Sequence, residues 1–327
     1  MSVYVVCHQA GRIPRLGVGR PKRRQIDQVR SADALSHPPS AGRVILTTRR
    51  FRHSFKVWAQ DAEWDHLRRI WVEADREGFW DAVWLNDHFY PPRADDTRPI
   101  MEAWSLMGGL AAVTERIRFG TMLTANTFRH PVVLAKQATT VDRMSGGRLE
   151  LGVGTGWHER EHEAFGIDLP PIGERFDRLE ETFAVLHGLM TEEIFDFRGR
   201  HHTIDSARFE PKPVQRPRPP FVVGGTGPKR TIPLAARWAD QWNFPDFTSD
   251  LGLFRARLGL LDEVCQAIGR DRAEIEVSVQ FRYPGDPAET ADRVAAYREA
   301  GANHALVTFF PPTGEDEPRA VAKALAR

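Results

Sequence analysis

The chain of 327 residues is predicted to form a (β/α)8 TIM barrel, an α/β fold, with an insertion between the fourth helix and the fifth strand. Three observations lead there. From Phe55 onward, short apolar runs alternate, with one interruption, with segments of helical period. Eight such pairs fit into about 275 residues, the size of that barrel. Runs four and five end in glycine clusters, as strands do where a barrel rim lets a ligand approach the backbone. The competing fold, an open doubly wound sheet, would need a dinucleotide fingerprint, and Trp157 stands where its third glycine belongs.

The elements follow in order. Phe55 to Ala59 is the first strand, and the helix after it, Glu63 to Gly78, sets Leu67, Ile70, Trp71 and Ala74 on one face. Ala82 to Leu85 is the second strand; its helix, Glu102 to Thr114, carries Leu106, Met107, Leu110 and Ala111 on one side. Arg118 to Thr124 is the third. His130-Pro131 opens the next helix, proline suiting a first-turn position, and Ser145-Gly146-Gly147 closes it. In strand four Leu149, Leu151 and Val153 alternate with Glu150 and Gly152 before Gly154-Thr155-Gly156. Helix four, Glu174 to Met190, keeps Phe176, Leu179, Phe183 and Leu186 in phase. Residues 191–218 break the rhythm with short extended pieces and a proline-rich run, and form the insertion. Strand five is Phe221 to Gly227, strand six Gln241 to Phe244, strand seven Ile275 to Phe281 and strand eight Ala305 to Phe310, each followed by a helical segment. Asp286-Pro-Ala-Glu289 reads as a capping box.

Composition narrows the class. Hydrophobic content of 41% and charged content of 27% are those of a soluble globular protein, and no apolar run approaches the ~20 residues of a membrane span. With Cys7 and Cys265 as the only cysteines, neither a disulfide framework nor a cysteine zinc site is expected, and a cytoplasmic location fits best. Formal net charge is +1, yet residues 1–50 hold ten Lys/Arg against two Asp/Glu, which leaves −7 on the remainder. A body of that balance gives no reason to expect nucleic acid. Residues 1–50, rich in Gly, Pro, Ser and Arg, read as a disordered basic tail, with residues 51–327 as the barrel. A transit peptide or a polyanion-binding arm is the other reading of that tail.

Barrel enzymes bind ligands where strands end. Those ends offer Trp58 and Gln60; Asn86, Asp87 and His88; Thr124 and Asn126; Gly154 to Trp157; Gly224 to Gly227; Trp242 and Phe244; Phe281 and Arg282; and Phe309 and Phe310. The glycine and hydroxyl rims suit a phosphate or ribityl chain, and the aromatic ones a flat ring, the composition expected around a flavin-like cofactor.

At this point the chain resembles the luciferase-like monooxygenase superfamily, most nearly its branch of coenzyme F420-dependent oxidoreductases. The likeness is carried by Asn86-Asp-His-Phe89, Thr127-Phe-Arg-His-Pro131, Ser145 to Trp157, Glu161-His-Glu-Ala-Phe-Gly166, Glu174-Arg-Phe-Asp177 and Lys212 to Arg216, and spans about residues 55–320. The resemblance implies catalytic roles for His88, beside the reactive face of the deazaflavin, and for Asp87, at the cofactor's polar groups. It implies a bulge with a non-prolyl cis peptide somewhere in Met122–Ala125, and cofactor contacts from Met122, Leu123, Thr124, Asn126, Gly154, Thr155, Gly156, His162, Gly225 and Thr226. It implies a homodimer as well. Trp58, Tyr90, Trp157, Trp242 and Phe244 would then line the pocket of a small organic substrate, apolar or planar. Sugar-phosphate dehydrogenases of this branch carry a catalytic glutamate directly after Gly-Thr-Gly; Trp157 in that place argues against that reaction.

Reduced FMN with O₂, giving a monooxygenase, is the first alternative to F420, and a non-enzymatic flavin-binding relative is another. His158-Glu-Arg-Glu-His162 also satisfies the H-E-x-x-H pattern of zinc hydrolases. It follows a strand at once and is cut short by Phe165-Gly166 and Pro170-Pro171, so no metal is expected there.

Overall fold

A computed structural model describes residues 50–92, 97–310 and 313–326. The basic tail predicted for residues 1–50 therefore lies outside the described residues, apart from Arg50. The elements run β1 (Arg52–Val57), α1 (Trp64–Glu77), β2 (Ala82–Leu85), α2 (Ala103–Val113), β3 (Arg118–Thr121), β4 (Thr124–Ala125), α3 (Pro131–Met144) and β5 (Leu149–Gly154). Next come α4 (Glu159–Phe165), α5 (Ile172–Thr191), the hairpin strands β6 (Phe195–Arg198) and β7 (Thr203–Ala207), β8 (Phe221–Gly224), α6 (Thr231–Trp238) and β9 (Gln241–Asp246). The chain closes with α7 (Leu251–Ala267), β10 (Glu276–Arg282), α8 (Pro287–Glu299), β11 (His304–Phe309) and α9 (Asp316–Leu325).

Eight parallel strands close into a barrel in the order β1, β2, β3, β5, β8, β9, β10, β11, with β11 pairing back onto β1. The predicted α/β barrel is present. The third strand, read as one run, is two: β3 pairs with β2 and β5, and β4 pairs with β5 alone, after a cis Met122–Leu123 peptide. The residues expected as an insertion hold the antiparallel pair β6–β7. Its loop is fastened to α5 by Glu181, whose carboxylate accepts from the backbone N–H groups of Arg200, His201 and His202.

Strand parity creates two cores. Residues such as Phe55, Val83, Leu151, Val223, Trp242, Val279 and Val307 point outward and bury themselves against the helices, whose inner faces match: α1 turns Leu67, Ile70, Trp71 and Ala74 to the sheet, as the 3.6-residue period requires. Inside the barrel a small cluster of Ala82, Trp84, Met122, Val222 and Leu306 fills the middle. The floor, at the strands' N-terminal ends, is charged. Arg52 reaches Glu150 at 2.6 Å and Glu276 at 2.8 Å, and Arg118 reaches Glu150 at 2.6 Å. Burial alone would raise the Glu150 carboxyl; Arg52 and Arg118 instead hold it down at about 2. Such a floor serves stability, and the opposite, C-terminal rim is left for ligands. Among the described residues no helix is long and apolar enough to cross a membrane.

Candidate functional site

At the C-terminal rim lies a cavity of about 500 Å³, within the ordinary range for ligand sites. Period-2 alternation decides what reaches it. β1 sends in Lys56 and, just beyond its end, Trp58; β2 continues into Asn86, Asp87 and His88; β5 ends in Gly154, Thr155 and Gly156; and β8 in Gly224 and Gly225.

One wall is a ledge formed by Met122, Leu123, Thr124 and Ala125. The glycines next to it make room for Leu123 rather than simply for a ligand. A Cβ on Gly154 or Gly224 would stand 3.0 Å from Leu123 Cδ1. Gly156 needs its φ of +74°, and a Cβ there would meet Thr127 Oγ1 at 2.6 Å. Asp87 holds the ledge from behind. Its Oδ2 accepts from the Ala125 N–H at 3.0 Å and from Arg129 Nη1 at 2.6 Å. Burial pushes the Asp87 carboxyl up, and the Arg129 guanidinium opposes that.

His88 sits at the opposite side of the strand end and is held by Glu161 of α4, with Nδ1 2.8 Å from Oε1. The other oxygen, Oε2, accepts from the N–H groups of Phe89 and Tyr90 at 2.9 and 3.2 Å. Burial would raise the Glu161 carboxyl, yet the bond from His88 and these two N–H groups hold it below the usual carboxylate range. A carboxylate at Nδ1 leaves Nε2 as the ring nitrogen that can face a ligand. Trp157 stands edge-on to the His88 ring at 5.5 Å and remains 57% exposed.

The candidate residues Asp87, His88, Met122, Leu123, Thr124, Gly154, Thr155, Gly156, Gly225, Trp58 and Trp157 all line this cavity. Five others do not. Trp242 and Phe244 have the outward parity of β9: both are buried against Phe254 of α7, and Asn243 and Pro245 take their place in the wall. Tyr90 packs its ring on Phe165 at 4.8 Å, and Asn126 and Thr226 stand outside the wall. His162 is also outside it, turned away to Thr127 Oγ1 at 2.7 Å and the His158 carbonyl at 2.8 Å. Its orientation dismantles the H-E-x-x-H arrangement. The groups that do converge are His88, His158 and Glu161, with ligand atoms within 4.8 Å of one another. The carboxylate among them is already engaged by His88 and two backbone donors. Sequence reading left out Glu161, Lys56, Asn243, Gln280 and Thr308 as wall residues. The inward parity of the last four was legible; the pairing of Glu161 with a histidine 73 residues away was not.

Fold and site together define a (β/α)8 barrel protein with a ligand cavity at its C-terminal rim. The chain belongs to the luciferase-like monooxygenase family, which it matches over residues 45–284. It is similar to an F420-dependent glucose-6-phosphate dehydrogenase of Microbacterium testaceum (strain StLB037), 31% identical over 239 residues that cover 72% of this chain and 69% of that one. A second such relative, from Kineococcus radiotolerans (strain ATCC BAA-149 / DSM 14245 / SRS30216), is 32% identical over 245 residues, 73% of this chain and 70% of that one. Among solved structures, an F420-dependent secondary alcohol dehydrogenase in complex with an F420–acetone adduct shares the fold, with a TM-score of 0.74 at 20% identity, covering 84% of this chain and 99% of that one.

Proposed function

We propose that this protein is an oxidoreductase that moves a hydride between coenzyme F420 and a small organic substrate with a planar body. The observation that carries the reading is the sharing of one cavity by the Leu123 ledge and by His88 as Glu161 holds it. The relatives named above support the cofactor class.

The wall fits such a group. The ledge and the glycines beside it offer a flat apolar seat, and Thr155, Gly156 and Gly225 offer hydroxyl and backbone groups to a phosphate-bearing chain. Asn86, 3% exposed in the wall, has neither its amide nitrogen nor its oxygen bonded among the described residues. A buried amide in that state calls for a ligand edge with both a donor and an acceptor, which the pyrimidinedione edge of a deazaflavin carries. When bound, the deazaflavin supplies the carbon that takes or gives the hydride. The protein's part is to seat the ring, to hold or move a proton at His88 Nε2, and to shield the cavity mouth with Trp157. Glucose 6-phosphate is not the proposed substrate, because Trp157 has no group that can exchange a proton.

Titration with coenzyme F420 and with FMN tests the reading. F420 should bind with a Kd of about 1 μM or tighter, and FMN more weakly. Equal or reversed affinities would move the assignment to a flavin monooxygenase.

A further inference from the structure

Two histidines face one carboxylate oxygen beside the cavity. Glu161 uses Oε2 to accept from the backbone N–H groups of Phe89 and Tyr90, at 2.9 and 3.2 Å. Its Oε1 instead meets His88 Nδ1 at 2.8 Å and His158 Nδ1 at 3.7 Å. The second separation is beyond hydrogen-bond reach, and His158 Nδ1 is a buried atom with no hydrogen-bond partner among the described residues. The two imidazoles stand nearly perpendicular, 5.9 Å between centroids. Trp157 packs against both, 5.5 Å from the His88 ring and 5.1 Å from the His158 ring.

The bond between His88 and Glu161 orients one ring and leaves the nitrogen of the other unanswered. One hydrogen cannot join both imidazoles to a single oxygen, whereas a divalent ion can take all three as ligands. Zinc bonds of about 2.0–2.1 Å place neighbouring donors of a tetrahedron about 3.4 Å apart. The separations of 2.8 and 3.7 Å fall on either side of that value, and all three ligand atoms lie within 4.8 Å of one another. The N–H groups on Oε2 are the outer support that a ligating carboxylate requires. Two imidazoles with one carboxylate select zinc, nickel or copper over magnesium or calcium. A second group of histidines, His201 and His202 beside Glu181, lacks this opening. Both Glu181 oxygens are taken there by the N–H groups of Arg200, His201 and His202.

We infer that His88, His158 and Glu161 form a binding site for a divalent transition ion of the zinc type. The ion takes the place of the hydrogen between His88 Nδ1 and Glu161 Oε1, which leaves to solvent, and its fourth position is open to water. Two of the ligands belong to His158-Glu-Arg-Glu-His162, but His88 at the end of β2 replaces His162, which is turned to Thr127. Binding depends on these three side chains alone. Its consequence rests on the hydride-transfer reading above. An ion on Nδ1 leaves Nε2 as the protonated nitrogen of a neutral ring, so His88 can no longer take up a proton and zinc inhibits turnover.

The test is equilibrium dialysis of the metal-free full chain, without cofactor, against zinc chloride. Wild type should bind one zinc ion per chain with a Kd of about 10 μM or tighter, and excess magnesium chloride should not displace it. His158→Ala and His88→Ala should each weaken zinc binding by about tenfold or more, and His202→Ala should bind as wild type does. Melting temperature without zinc shows that each variant folds, and either of the first two alone decides the matter. Zinc bound to the folded chain should also raise the melting temperature of wild type, and this rise should be lost in both. No zinc bound by wild type, undiminished binding in His158→Ala, or binding lost only in His202→Ala would overturn the site. Turnover with F420 is then measured across the same zinc concentrations. Inhibition as the site fills, shifted about tenfold or more upward in His158→Ala, supports the withdrawal of His88. Full turnover of the zinc-loaded enzyme would overturn that consequence. A chain that binds zinc but not F420 would overturn the proposed function, together with the consequence drawn from it, and leave the site supported.

Discussion

The Asp87 carboxylate is joined through both oxygens to the Arg129 guanidinium, Oδ2 at 2.6 Å from Nη1 and Oδ1 at 3.0 Å from Nη2. With Oδ2 also taking the Ala125 N–H, the residue expected as a catalytic partner of His88 is an anchor for the ledge. Its removal would leave a largely buried guanidinium with Glu102 as its remaining carboxylate, at 2.7 Å. Asp87→Ala should therefore cost about 3 kcal/mol or more of unfolding free energy. Urea denaturation measures this, and a loss below about 1 kcal/mol would return Asp87 to the list of reacting groups.

Gly224 tests whether the ledge carries the ligand. A Cβ at this position would stand 3.0 Å from Leu123 Cδ1 and 3.7 Å from the Asn243 Cβ. Leu123 has to yield toward the cavity. Gly224→Ala should weaken cofactor binding by about tenfold while costing about 1–3 kcal/mol of stability, the usual scale of overpacking. Fluorescence titration against wild type reads the affinity. An unchanged Kd would separate the ledge from the bound ring.

Stability should fall on mild acidification because of His53. Burial pushes its imidazole down to about 4, between the rings of Phe51 and Phe79, from an ordinary value near 6.5. The folded state then binds fewer protons than the unfolded chain between those two values. Stability accordingly rises with pH across the window and is lost as pH falls from about 6.5 to about 4, by on the order of 3 kcal/mol in total. His53→Phe keeps an aromatic ring in place and removes the titration. Its unfolding free energy should vary less with pH than that of wild type over this range, and an equal slope would assign the effect to other histidines.

Most of the barrel was legible because period-2 strands and period-3.6 helices are local properties. Leu149, Leu151 and Val153 turn outward as their alternation requires, and α1 buries the four residues its spacing selects. Strand six shows how the same signal misleads. Gln241 and Asn243 are the polar members of β9, and the usual assumption that apolar residues mark the functional aromatic rim sent Trp242 and Phe244 inward. At β9 the inward side is the polar one, which reverses that assumption, and the two aromatics are instead the seam with α7. Glu161 illustrates a different limit. Its neighbours His158 and His162 made a zinc motif in the sequence, whereas its partners in the fold, His88 and the N–H groups of Phe89 and Tyr90, belong to a strand end more than 70 residues earlier.

His88 and Glu161 yield the sharpest expectation for turnover. The carboxylate at Nδ1 orients the ring and leaves Nε2 as the nitrogen that can face a ligand. His88→Ala removes the group proposed to exchange the proton but leaves the ledge and the glycine rims intact. Turnover should fall by about 10²–10³, equivalent to about 2–4 kcal/mol of barrier, and cofactor affinity should change much less. Glu161→Gln keeps an oxygen for the histidine but removes the charge, so turnover should fall by about tenfold to a hundredfold. Single-turnover reduction of F420 gives both rates. A Glu161→Gln rate equal to that of wild type would reduce the carboxylate to an anchor for the Phe89–Tyr90 backbone, and unchanged turnover in His88→Ala would remove the histidine from the reaction.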